Sequence, residues 1–453
     1  MENPENNKVA NFFQSTTAKM IMVGILTLVL LIPLAFVREL IVERSTRQKE
    51  VIAETNNKWG ESIYFYGPIL KIPYKTFNET VTVNEKTKES VKERTATVHY
   101  AYFFPNVLNN TSVVNMAKPL KRSLYKSDVF NAAMDFEGSF IKPNFEIHDV
   151  SDEDILWDKA TLMIKTSDMK SIKNQVNMVF GGENYHLQPA DNDQNDSVAP
   201  LETRIVAIEK LRNNGSMDFK FKISYKGSKR VTLAPIGKTT SAKMTSDWHS
   251  PSFMGNYIPE EKNKKISAKG FEAHWQVLDL NRPFAQQYFE NLPDLKRYAF
   301  GVDFLIPVDE YQQNERAAKY GFLVIGLTFL VFFLIQSISK IPIHIFQYSM
   351  IGLALIMFYT LLISITEHSS FSLAYSISGS SVVALISIYS VSILKNRKFP
   401  AFIAIALTVL YTFIYVIIQL EEYALLVGSI GLFLILAAVM YFSRKIDWSS
   451  SHS

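Results

Sequence analysis

At 453 residues the chain has room for two or three ordinary domains, and its 48% hydrophobic and 20% charged residues would suit a soluble enzyme if they were evenly spread. They are not evenly spread, so the sequence has to be read by segment. The net charge of +4 comes from 47 basic and 43 acidic residues mixed along the chain, which argues against a nucleic acid partner, and the absence of cysteine excludes disulfides, thiolate nucleophiles and cysteine-ligated metals.

Apolar residues crowd into the first tenth and the last third of the chain. After a tail at 1–19, residues 20–37 carry no charge, close to the roughly 20 residues that cross about 30 Å of hydrocarbon. The following Ala35-Phe36-Val37-Arg38-Glu39 lacks the paired small residues of a signal cleavage site, so the segment reads as an uncleaved anchor. Pro33 inside it predicts a kink. Residues 41–56 are charged and free of helix breakers, so the first helix is expected to continue out of the membrane until Trp59-Gly60 ends it.

Residues 38–319 read as one large β-rich domain. Short β-branched and aromatic runs predict strands at 63–66, 80–83, 95–104, 161–164, 217–225 and 230–234, spaced as in an antiparallel sandwich or related sheet. In Phe219-Lys220-Phe221-Lys222-Ile223-Ser224-Tyr225 the strict alternation predicts one buried and one wet face. The acidic loop at 191–196 lacks the central Gly and terminal Glu of a calcium loop. Residues 251–270 read as irregular and exposed.

Beyond Lys319 the hydropathy divides the chain into five more spans at 320–338, 345–366, 371–394, 401–420 and 423–442, followed by a tail at 443–453. Their short connections predict antiparallel neighbours in one bundle. Ser339-Lys340, the run Lys395-Asn396-Arg397-Lys398 and Arg444-Lys445 are basic, whereas the alternate turns hold Glu367-His368 and Glu421-Glu422. The positive-inside rule then places the basic turns and both termini in the cytoplasm and residues 38–319 outside it. Arg38, Arg44, Arg47 and Lys49 oppose this from the outer side, but long domains translocate largely regardless of charge. The expected fold is a membrane protein of six transmembrane α-helices, one N-terminal and five C-terminal, with a large β-rich extracytoplasmic domain between the first and second.

No nucleophile elbow, phosphate loop, zinc-protease helix or dinucleotide fingerprint is present. The best polar cluster is Asp247-Trp248-His249, with Glu272-Ala273-His274-Trp275 further on; Asp247, His249, Glu272 and His274 could supply metal ligands or an acid-base pair if the fold brings them together. The simpler expectation is that the tryptophans close a β-core and the histidines bond across strands. Glu367-His368 could gate a transport path, but a proton or cation route needs ionisable groups deeper in the hydrocarbon. Ser376, Ser380, Ala384 and Ser387 form a small-residue stripe suited to close helix packing. Tyr348, Tyr359, Tyr411, Tyr415 and Tyr423 include candidates for interfacial anchors.

A set of ordered landmarks resembles the bacterial inner-membrane CreD family, described as cell-envelope integrity proteins. They are Leu31-Ile32-Pro33 with Arg38, Ile41, Glu43 and Arg44; Gly67-Pro68-Ile69-Leu70; the two tryptophan-histidine segments; Arg316-Ala317-Ala318-Lys319-Tyr320; Gln347-Tyr348; Met357-Phe358-Tyr359; Glu367-His368; and Ile446-Asp447-Trp448. The resemblance spans nearly the whole chain. It implies residence in the bacterial inner membrane and a link to a two-component regulatory response, and it brings no catalytic or binding residues. The resulting expectation is a non-enzymatic protein without cofactor or metal, seated in the lipid bilayer, whose external domain binds an envelope protein, lipid or cell-wall partner. A transporter, and behind it a metal-dependent hydrolase, are the alternatives.

Overall fold

The computed structural model describes residues 16–83, 90–148, 150–191, 198–304, 310–339, 341–394, 398–420 and 423–444. The chain separates into two compact units, one of Met1–Glu50 with Val308–Ser453 and one of Val51–Pro307.

The first unit is helical. Among the described residues, six helices are long and apolar enough to cross a membrane. The first, α1 (Thr16–Trp59), runs unbroken through Pro33. Its 44 residues reach about 66 Å at roughly 1.5 Å per residue, about twice what the hydrocarbon requires. The charged second half is therefore helix beyond the apolar layer. It ends where expected, with Gly60 in a left-handed conformation that a side chain resists, at φ 153°, and with the Gly60 N–H donating to Asn56 O at 2.8 Å.

After a short polar helix, α2 (Glu209–Asn214), in the second unit come α3 (Glu310–Lys319) and the spans α4 (Gly321–Ser339), α5 (Ile345–Thr366), α6 (Phe371–Leu394), α7 (Lys398–Gln419) and α8 (Ala424–Ser443). The α5 and α6 bounds coincide with those expected from hydropathy. The polar helix α3 was not anticipated. It buries Tyr311, Asn314, Ala317 and Ala318 along one stripe, and Ala317 and Ala318 join the same apolar core as Leu30, Leu34 and Ile41 of α1.

Close approach of helices is set by glycine. A Cβ on Gly352 of α5 would lie 2.2 Å from a Leu30 methyl, and one on Gly321 would lie 2.8 Å from Leu34. Small residues at these points let α1 sit against α4 and α5, as membrane helices require when no hydrophobic force distinguishes a neighbour from lipid. Hydrogen bonds add registry: the Tyr348 hydroxyl to Gln336 Oε1 at 2.9 Å, the Tyr375 hydroxyl to Tyr411 O at 2.8 Å, and the Tyr415 hydroxyl to Ser372 Oγ at 2.9 Å.

Two expectations for the bundle are corrected. Ser376, Ser380 and Ala384 are exposed, and the inward stripe of α6 is Ala374, Ser378, Gly379, Val382, Ile386 and Ser390. The Ser376 and Ser387 hydroxyls donate to carbonyls one turn back, Ser372 O and Val383 O, which satisfies them without a partner helix. Tyr348, Tyr359 and Tyr411 are core residues; packing around Phe358, whose ring lies 4.8 Å from Tyr359 and 4.7 Å from Tyr411, draws the latter two inward.

The second unit is built on β-strands. In chain order they are β1 (Ile63–Val83), β2 (Ser90–Phe103), β3 (Val107–Met116), β4 (Leu120–Arg122), β5 (Tyr125–Ser127), β6 (Phe130–Ile141), β7 (Thr161–Thr166), β8 (Asn177–Phe180), β9 (Glu183–Pro189), β10 (Ala199–Thr203), β11 (Ser216–Gly227), β12 (Arg230–Leu233), β13 (Thr239–Ser246), β14 (Ser252–Gly255), β15 (Lys265–Ser267), β16 (Gly270–Leu278), β17 (Gln287–Phe289) and β18 (Phe300–Asp303). Among the described residues one 16-stranded sheet runs β14-β18-β12-β1-β7-β10-β9-β8-β11-β6-β3-β13-β16-β15, with β2 and β17 branching from β1, while β4 and β5 form a separate hairpin.

The sheet folds over on itself, because Phe65 of β1 stacks at 4.3 Å on Phe136 of β6, and Trp275 of β16 packs at 5.4 Å against Phe300 of β18. One continuous core results. The pairing is mixed, with β1 parallel to β12 and β3 parallel to β13, so the antiparallel expectation holds for most neighbours only. The runs at 63–66 and 80–83 belong to a single strand; Pro68, which has no N–H, is absorbed by a register shift between Tyr66 and Ile69. Residues 251–270, expected to be irregular, contain the short strands β14 and β15. The acidic loop at 191–196 lies almost wholly outside the described residues.

Candidate functional site

Alternation builds the candidate site. Along β6 the residues Phe130, Ala132, Met134 and Phe136 are buried, so Asn131, Ala133, Asp135 and Glu137 face away from the core. β11 alternates in the same way, burying Phe219, Phe221 and Ile223 and turning Lys220 and Lys222 outward. On β16 the buried set is Phe271, Ala273, Trp275 and Val277, which leaves Glu272, His274 and Gln276 on the other face.

Register then aligns these outward residues across five strands. His274 sits opposite Lys243, Lys243 beside Thr111, Thr111 opposite Asp135, and Asp135 opposite Lys222. The adjacent row runs Gln276, Ser241, Asn109, Glu137 and Lys220 by the same pairings. None of these ten residues is buried. The face is a mixed-charge lattice: Lys243 Nζ lies 2.8 Å from Glu272 Oε1, Lys222 Nζ 3.5 Å from Asp135 Oδ2, and Lys220 Nζ 3.7 Å from Glu137 Oε2. His274 Nε2 is 3.1 Å from Ser241 Oγ and its Nδ1 is 3.7 Å from Glu260 Oε2. The Lys243 ammonium, bonded to Glu272, holds that carboxyl below its ordinary range. Exposed pairs of this kind contribute little to stability, because solvent screens the attraction and holding two long side chains in one geometry costs entropy. Their donors and acceptors are therefore available to a bound polar partner at little cost to the fold.

The four residues considered for metal or acid-base chemistry are engaged separately. Glu272 and His274 share the outward face of β16, Asp247 Oδ1 accepts the Met116 N–H at 2.8 Å, and the His249 ring stands 5.2 Å from Trp248. Trp275 closes the core, and Trp248 donates through Nε1 to Ser250 O at 2.8 Å. Among the described residues no group of three or more His, Asp or Glu is arranged to hold a metal ion. The sequence reading missed Thr111, Asp135 and Lys243; the alternation in Phe130-Asn131-Ala132-Ala133-Met134-Asp135-Phe136-Glu137 was the available signal for the β6 residues.

In the helical unit Glu367 caps α5, where its carboxylate lies 3.8 Å from Arg44 Nε of α1. No Asp, Glu, Lys or Arg occurs in α4, α5, α6 or α8, and α7 carries only Lys398 at its first position. Glu367 therefore fixes a helix end to α1, at a turn position. The Glu421-Glu422 turn lies outside the described residues.

A family model described as inner membrane protein CreD matches residues 15–449. The inner membrane protein CreD of Escherichia coli (strain K12) is 27% identical over 434 residues, covering 93% of this chain and 91% of that protein. A crystal structure from Legionella pneumophila, described as that of a nutrient binding protein, aligns with 50% of this chain and 73% of its own at 8% identity, but its TM-score of 0.21 is too low to bear on fold or ligand. The match to the family model over nearly the full length, together with six apolar spans enclosing a β-rich domain between the first and second, shows that this chain belongs to the CreD family of inner membrane proteins.

Proposed function

We propose that this protein supports the cell envelope without covalent chemistry, its β-rich domain lying outside the cytoplasm and binding a polar envelope component through the outward face of β16, β13, β3, β6 and β11. One observation carries the reading: five strands align two rows of unburied charged, amide and hydroxyl side chains on a rigid sheet, in pairs too exposed to be explained by stability. A preformed surface of this kind binds with little ordering cost. The basic turns at Lys340, Lys395 to Lys398 and Arg444-Lys445 support the orientation. The uncharged depth of the spans supports anchoring over ion transport.

The test is co-sedimentation of the full chain in lipid nanodiscs with purified cell-wall sacculi. Wild type is expected to pellet with the sacculi, and the double charge reversal Lys222→Glu with Lys243→Glu to weaken the binding constant at least tenfold, in keeping with the roughly 1.5–3 kcal/mol of each charge-assisted hydrogen bond lost. Failure of wild type to pellet above empty nanodiscs, or equal pelleting by the variant, rejects the proposed face.

A further inference from the structure

The β1–β2 hairpin runs on past the sheet to which it belongs. β7 pairs with β1 only as far as Lys71, and the last bridge on that side joins Tyr74 to Ile155. On the other side β17 covers β2 from Ala101, and the Glu290 N–H donates to Tyr100 O at 2.8 Å. Beyond these points β1 and β2 continue in register, from Lys75 opposite Val98 to Val83 opposite Ser90, with no third strand among the described residues. That is about 30 Å of two-stranded ribbon at roughly 3.4 Å per residue. Such a ribbon by itself is marginally stable in water, and its margins carry rows of unpaired backbone groups.

The β2 margin is the more open. Arg94, Thr95, Ala96, Thr97 and Val98 are all exposed, whereas Lys75, Thr76 and Phe77 of β1 are half-buried. Strand phase fixes which groups this margin offers. The Tyr100 carbonyl points outward to Glu290 and the register is regular, so Val98, Ala96 and Arg94 also turn both N–H and C=O away from β1. Among the described residues no hydrogen bond takes these groups up. The usual guards of a sheet edge are missing. Arg94–Val98 contains neither proline nor lysine, and the Arg94 guanidinium is drawn over the Phe77 ring of β1 at 3.7 Å, away from the margin.

A row of outward backbone groups binds an extended polypeptide strand, and the residues along this one are complementary to themselves. Turned about a two-fold axis at Ala96, the stretch sets Ala96 against the partner's Ala96, Arg94 against the partner's Val98 and Thr95 against the partner's Thr97. No like charges face each other, and the threonine pairs bond through their hydroxyls. Two copies confined to one membrane plane meet at a high effective concentration, so a short interface suffices. We propose that two copies of this protein join through antiparallel pairing of Arg94–Val98 of β2, which merges their hairpins into one four-stranded sheet. None of these residues belongs to the polar face of β16, β13, β3, β6 and β11.

Register-specific disulfides test it, because the chain has no cysteine. In the proposed pairing Thr95 and the partner's Thr97 form a non-hydrogen-bonded pair with Cα atoms about 4.5 Å apart, within disulfide range. Each threonine stands roughly 8 Å from its own counterpart, which is out of range. Thr95→Cys and Thr97→Cys chains with different tags, co-expressed and mildly oxidised in membranes, are expected to give a mixed covalent dimer. Either variant alone should give at least tenfold less. Adding Val98→Pro to both chains removes an outward N–H without touching a bond to β1. The fold is then retained and the mixed dimer falls about tenfold, since two edge hydrogen bonds are lost. Absence of the mixed dimer, equal yields from single and mixed variants, or a yield insensitive to Val98→Pro overturns the proposal. A covalent adduct with a different protein in place of the mixed dimer overturns it as well.

Discussion

Single residues show how differently polar groups are used in the two units. Glu272 bonds Lys243 on an open sheet face and titrates below the ordinary carboxylate range because the ammonium favours its charged form. The sign follows: a carboxyl whose folded pKa is depressed contributes stability above its unfolded pKa, near 4.5, and that contribution disappears as pH falls through the folded value. In Lys243→Gln the Glu272 midpoint, followed by carboxyl-selective NMR, is expected to rise toward the ordinary value. Inside the sheet the balance is different. Tyr225 is fully buried and its hydroxyl meets Thr166 Oγ1 at 3.1 Å; Tyr225→Phe deletes that bond and should cost about 1 kcal/mol. Phe65→Ala removes a ring stacked at 4.3 Å on Phe136, and a cost of about 3–5 kcal/mol is expected. Thermal unfolding of the two variants should therefore separate them clearly, and equal shifts would contradict the assigned burial.

At the scale of elements, the spans were readable because a uniform apolar run of about 20 residues has few alternatives. Which face of each span turns inward was not, since lipid and helix neighbours are both apolar and the usual amphipathic signal is missing. Thus Ser378, Gly379 and Ser390 of α6 are buried while Ser376 and Ser380 are exposed, a choice made by Phe358 and Tyr411 on the adjacent helices. The contact of Leu30 with Gly352 has the same origin. Gly352→Val should overpack it by about 1–3 kcal/mol, lowering the melting temperature of the protein in nanodiscs; an unchanged midpoint would show that α1 is free to move off α5. The Arg44 to Glu367 pair is half exposed on the arginine side, so Glu367→Gln is expected to shift stability by less than about 1 kcal/mol and to leave proton flux across proteoliposomes unchanged. In the β-rich unit, β11 was legible from strict alternation, whereas β14 and β15 were hidden by their length of three or four residues. Such strands have too few positions to show a period and exist because a neighbour offers its edge.

For the whole molecule the orientation is directly testable, because the chain has no cysteine and an introduced one, read on the purified chain after labelling, is its sole thiol. Ser252→Cys in the β-rich unit should react with a membrane-impermeant maleimide in intact spheroplasts, and Ser451→Cys only after lysis. The reverse pattern would invert the proposed topology. The sequence by itself determined the number of spans, their order around a large β-rich insertion, the extent of the first helix to Trp59 and the family, because each is written in local hydropathy, breakers and ordered landmarks. Only the tertiary structure decided the folding of one sheet onto itself, the parallel pairings of β1 with β12 and β3 with β13, and the alignment of His274, Lys243, Thr111, Asp135 and Lys222. Those residues come from five separate strands, and strand register, which a single residue of slip would reverse, is fixed by the core on the opposite face of the sheet.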